Sequence, residues 1–141
     1  MKKEERKAIA SAWLDVGEDA LLAAEHLYSE SHYRSCVSRS YYAAYAFLAS
    51  LLVMKTQVIF PEEREGPGHT SLSDLVWNHL QTEFGYTQRK RIRTDIRVLY
   101  DYRLKADYKP RDSVRSGDAS EAKKVAGTIA KAVRARKEGS S

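Results

Sequence analysis

Proline occurs at only three positions in this chain, 61, 67 and 110. Proline ends or kinks a helix, so the distance between these breakers limits what the chain can build. Residues 1–60 and 68–109 contain none. "PEEREGPGH" (61–69) reads as the clearest loop, "FGYT" (84–87) as a short turn and "YKPRDSVRSGD" (108–118) as a second loop. The intervals between them carry apolar residues at helical spacing, and none shows the alternation of a strand.

The first helix is expected from about Glu4 to Tyr28, with Trp13, Val16, Ala20, Ala23, Ala24 and Leu27 on its apolar stripe. Ser31 is predicted to cap a second helix over 32–56, with Val37, Tyr41, Ala44, Tyr45, Leu48, Leu51 and Leu52 as its stripe. A third over 70–83 presents Leu72, Leu75, Val76 and Leu80. Thr87 is predicted to cap a fourth that runs to about Ala106, and a fifth begins near Asp118 with Ala122, Val125, Ala126, Ile129 and Val133. Long amphipathic helices joined by short loops imply an antiparallel bundle. The expected fold is all-α, a single domain of four to five helices over 1–137, followed by a disordered tail at 138–141.

Composition narrows the class. With 43% hydrophobic and 30% charged residues, the chain of 141 residues can bury one sizeable core and is not a disordered polymer. A net charge of +5 permits nucleic-acid binding without requiring it. The single cysteine, Cys36, allows no disulfide framework or paired-cysteine metal site within one chain and reads as a small buried hydrophobe. The start "MKKEERKAIA" lacks a signal-peptide core, and the longest apolar run, Tyr41 to Met54, is too short for a bilayer. The expectation is a soluble cytoplasmic protein with no membrane span, metal or cofactor.

Two features of the second helix have alternative readings. Ser35, Arg39, Ala43, Ala46 and Ser50 form a mostly small face opposite the stripe. That face admits close approach by a fifth helix or a second subunit, or it is a plain surface. Tyr41, Tyr42 and Tyr45 form an aromatic cluster. It is a base-stacking platform, or a set of core tyrosines whose hydroxyls reach partners at the edge.

The fourth helix carries the chemistry. Ile92, Ile96 and Leu99 share one stripe, and at 100° per residue Arg103 falls near its centre. A guanidinium cannot shed its proton, so on a buried face it must be paired or face a polar groove. Asp107 lies four residues on, within reach on a helix. Arg103 is therefore the anchor of a structural ion pair, or a groove residue whose planar fork suits phosphate. Arg89, Arg93 and Arg97 recur every four residues as a basic ridge. The ridge tracks a phosphate backbone or is a solvated face interrupted by Asp95 and Asp101.

"SYYAAYAFLASLL" (40–52), "GHTSL" (68–72) and "LYDYRLKADY" (99–108), in that order, resemble the HEPN domain of prokaryotes over roughly residues 10–135. The resemblance implies a helical bundle, usually dimeric, and in many members an Arg on the fourth helix followed four to six residues later by His. Two such motifs meet across the dimer cleft and cut RNA without metal. Such proteins are often toxins or defence factors encoded beside a small nucleotidyltransferase. Here Arg103 matches the arginine, but Tyr108 stands where the histidine would be. Tyrosine, with a pKa of about 10, is only on the order of a tenth of a percent ionised at neutral pH, a poor general base.

The sequence therefore points first to a dimeric HEPN-type binding module for RNA or nucleotide, or for a nucleotidyltransferase partner. Its setting would be toxin–antitoxin or defence, with Arg103, Lys105 and the ridge Arg89, Arg93 and Arg97 supplying positive charge. The alternative is a metal-independent ribonuclease in which Arg103 stabilises charge on the cleaving phosphate and Asp107 or Tyr108 orients the 2′-hydroxyl. Tyr108 is also placed to accept a nucleotidyl group from a partner enzyme. His69 reads as a helix-start residue beside a loop, within reach of the cleft only if the fold brings it there.

Overall fold

The computed structural model describes residues 2–58, 60 and 65–138, so Pro61–Arg64 of the first loop and most of the tail, Gly139–Ser141, lie outside the described residues. Five helices follow one another: α1 (Lys3–Ser29), α2 (Tyr33–Lys55), α3 (Leu72–His79), α4 (Tyr86–Tyr108) and α5 (Ser116–Glu138). Among the described residues there is no strand, as the spacing of apolar residues requires.

α2 is the central helix and packs against each of the other four. Its stripe residues Val37, Tyr41, Leu48 and Leu52 are fully enclosed, and so are Phe47 and Val53. Contacts across the pairs give their directions. Ser50 Oγ donates to the Ala10 carbonyl at 2.6 Å and Arg6 Nη2 to that of Val53 at 2.7 Å, so α1 and α2 are antiparallel. α5 runs antiparallel to α1, with Arg134 paired to Glu18 and Lys123 to Glu25.

The small face of α2 is settled by this packing. Ala43, Ala46 and Ser50 are buried, and Ser50 lies directly on α1 rather than on a fifth helix or a second subunit. Gly17 of α1 lets the helices close, since a Cβ there would sit 3.0 Å from the Phe47 ring. Ser35 and Arg39, at the start of the same face, stay exposed.

Several boundaries differ from the sequence expectation. Ser31 does not cap α2. It has φ 64°, the left-handed conformation that closes α1. Its amide donates to the Tyr28 carbonyl and that of His32 to Leu27, the paired bonds of a Schellman motif. His32 takes the N-cap position of α2. α3 is shorter than 70–83 because the chain turns after it, with the amides of Glu83 and Phe84 both donating to the Leu80 carbonyl and Phe84 buried as an anchor. α4 starts after Gly85, not Thr87, and continues to Tyr108 rather than Ala106. α5 starts at Ser116, and Asp118 Oδ2 accepts the Arg115 N–H at 2.8 Å from inside the first turn, half of a capping box.

Candidate functional site

The C-terminal half of α4 lies antiparallel on the N-terminal half of α2, which brings "LYDYRLKADY" against "SYYAAY". Arg103 sits at this junction, its side chain only 14% exposed. Its Nε donates to Asp107 Oδ2 at 3.1 Å, and Ser38 Oγ donates to the same oxygen at 3.1 Å. The guanidinium carbon lies 5.9, 5.7 and 5.5 Å from the ring centres of Tyr41, Tyr42 and Tyr108. Its two terminal amino groups make no hydrogen bond to the described residues. The ion pair read from the spacing is therefore present, and it leaves the outward fork of the guanidinium unspent.

The tyrosine cluster divides. Tyr41 and Tyr45 are core residues, whereas Tyr42 is half-buried. The Tyr41 hydroxyl lies 2.6 Å from His69 Nδ1. Burial, reinforced by the neighbouring Tyr45, pushes the Tyr41 phenol well above its ordinary range, so it stays protonated.

His69 is thus brought to the aromatic cluster that also surrounds Arg103. Its ring contacts those of Tyr41, Tyr42, Tyr45 and Tyr100. The loop that carries it is pinned from below. Trp13 Nε1 donates to the Glu65 carbonyl at 2.8 Å and the Tyr45 hydroxyl to that of Pro67 at 2.6 Å. Gly66 permits this contact, because a Cβ there would lie 2.7 Å from the Trp13 ring.

Arg34 is a site residue that spacing did not reveal. It donates to the Lys105, Ala106, Lys109, Pro110 and Asp112 carbonyls, with the Ala106 bond at 2.9 Å. These carbonyls lie in the last turn of α4 and the loop that follows it, where a cation is also favoured by the helix dipole. Arg34 therefore fixes the helix end that presents Arg103, Asp107 and Tyr108.

The ridge is placed differently. Arg89 and Arg93 lie over the Trp77 ring, 4.6 and 5.2 Å from its centre. Arg93 and Arg97 pair with Asp74 at 3.7 and 3.2 Å, and Arg97 Nε donates to Ser73 Oγ at 3.0 Å. All three contact α3 from α4, and Arg97 also lines a groove with His69, Tyr100 and Asp101. Lys105 is half-buried beside Val37, Tyr102, Val114 and Asp118. Tyr108 is 65% exposed at the helix end.

The HEPN domain family model matches residues 10–136. The chain belongs to the HEPN family, and it folds as a five-helix bundle. No curated protein matches the chain. Among the described residues no helix is long and apolar enough to cross a membrane, and no group of three or more His, Cys, Asp or Glu side chains is arranged to hold a metal ion.

Proposed function

We propose that this HEPN protein binds the phosphates of RNA or nucleotide at the α2–α4 groove centred on Arg103. In this reading it acts as a homodimer beside a nucleotidyltransferase partner in a toxin–antitoxin or defence setting. One observation carries the proposal. Arg103 is held by a single carboxylate through Nε while its two terminal amino groups make no hydrogen bond to the described residues, amid three tyrosine rings. A planar guanidinium in that state is prepared for a bidentate oxyanion, and the rings limit its motion and exclude water. Arg89, Arg93 and Arg97 then serve the phosphate-binding surface indirectly, by fixing α3, while Lys105 faces Val114 and Asp118 and takes no direct part.

A second reading, a metal-independent ribonuclease, is favoured by His69. The imidazole absent at position 108 is supplied from the α2–α3 loop, hydrogen-bonded to Tyr41. Tyr108, exposed beside Arg103, would orient a ribose hydroxyl or accept a nucleotidyl group from the partner.

Purified protein incubated with single-stranded RNA in EDTA separates the readings. The binding module predicts salt-dependent affinity, lost in Arg103→Ala, with the RNA intact. Cleavage that disappears in both Arg103→Ala and His69→Ala would replace it with the ribonuclease. Equal RNA affinity of wild type and Arg103→Ala would remove Arg103 as a ligand in either.

A further inference from the structure

Beside Arg103, on the side of α3, lies a groove of about 270 Å³. His69, Thr70 and Ser73 form one wall, and Ile96, Arg97, Tyr100 and Asp101 the other, with Arg97 tied back to Ser73 and Asp74. Its volume is at the small end for ligand pockets, suited to one flat ring system. The His69 and Tyr100 rings are close to parallel, 13° apart with centres separated by 6.3 Å. Both rest on Tyr41, at 5.5 and 5.6 Å, so their orientation is set before any ligand arrives. A planar base entering the groove lies parallel to both and extends the stack.

The edge of that base would meet Asp101. This carboxylate is exposed and makes no hydrogen bond or ion pair to the described residues. Ionised, it offers only acceptors. Two adjacent N–H donors satisfy it in a bidentate contact, and guanine presents such a pair, N1–H and the 2-amino group, on its pairing edge. Adenine and uracil do not. Thr70 adds an exposed hydroxyl at the rim.

The groove and Arg103 are in register. Tyr100 and Arg103 are separated by three residues on α4, about 4.5 Å along the helix axis. Both lie against Tyr41, at 5.6 and 5.9 Å. A single nucleotide spans the two, base against Tyr100 and phosphate on Arg103.

We propose that this groove is a nucleobase pocket with a preference for guanine, so that the chain selects guanine nucleotides or guanine positions in RNA. The proposal rests on the phosphate-binding reading of Arg103 and adds a base specificity to it.

Calorimetric titration with GMP, AMP, UMP and ribose 5-phosphate tests it on the wild type, Asp101→Asn and Arg103→Ala. The expected result is GMP binding about tenfold tighter than AMP, UMP or ribose 5-phosphate, with Asp101→Asn removing that advantage. Arg103→Ala should weaken all four. Because Asp101 is exposed, Asp101→Asn should fold normally, and its melting curve checks this directly. A shift of the His69 ring proton signals by GMP, absent with ribose 5-phosphate, places the base in the groove independently. Equal Arg103-dependent affinity for all four compounds, unchanged by Asp101→Asn, would overturn the base pocket and leave the phosphate site standing. Absence of any Arg103-dependent binding would overturn both.

Discussion

The two halves of α4 carry the same residue type to different ends. In the N-terminal half, Arg89 and Arg93 lie over the face of Trp77 with their Nε atoms buried and unbonded among the described residues, and Arg97 is held by Asp74 and Ser73 on α3. In the C-terminal half, Arg103 has one counter-ion, held through Nε, and three aromatic neighbours. What separates the halves is setting rather than charge: the ridge arginines lie on Trp77 or Asp74 of α3, whereas Arg103 lies among three tyrosine rings. By the count of arginines the first half looks more like a phosphate track; by their contacts the second half is the better candidate.

The comparison can be broken at either end of the helix. The largest effect is expected from Arg34→Ala, which strips the donor from five carbonyls at the α4 terminus. Charged hydrogen bonds of this kind are worth about 1.5–3 kcal/mol. Denaturant unfolding should show a loss of about 3 kcal/mol, with hydrogen exchange rising first over residues 105–112. Exchange rising instead over α3 would mean that Arg34 does not hold the C-terminal half.

Trp77→Ala tests the other half. It removes the platform under Arg89 and Arg93, and since Trp77 is half-buried the cost should be about 2 kcal/mol. Under conditions where the variant remains folded, its nucleotide affinity should stay near that of the wild type. A large affinity loss in a folded Trp77→Ala would transfer the binding role to the ridge.

The smallest effect lies between the halves. Burial raises the pKa of Asp95 above its ordinary value, with Glu121 adding to the shift and Arg91 opposing it. A carboxylate with a raised folded pKa favours the native state when protonated, and that contribution is lost as pH rises through the folded pKa. Asp95→Asn should therefore melt slightly above the wild type at pH 7, with the gap closing as pH falls into the ordinary carboxylate range. A gap that widens in acid would contradict the sign.

Much of this arrangement could be read from the sequence, but only where one helix decides it. Arg103 and its ion pair follow from the 100° step, because both partners lie on α4. The central burial of α2 follows from its stripe. His69 depended on contacts between distant segments, since Trp13 and Tyr45 pin its loop through backbone carbonyls. Arg34 was hidden for a related reason: its partners are carbonyls, which every residue carries, so no residue type announces them. Ser31 was misread because a serine near a helix boundary signals a cap more often than a left-handed turn. The setting of the ridge was hidden because Trp77, which lies under Arg89 and Arg93, belongs to another helix.

The most direct test of the central claim is the salt dependence of single-stranded RNA binding by wild type, Arg103→Ala and Arg89→Ala. Each phosphate contact on a single strand contributes about 0.7 to the slope of log affinity against log salt. Loss of affinity and a slope shallower by about that amount are predicted for Arg103→Ala, with Arg89→Ala close to wild type. The reverse pattern, a shallower slope for Arg89→Ala and an unchanged Arg103→Ala, would contradict the account and place the phosphate contacts on the ridge.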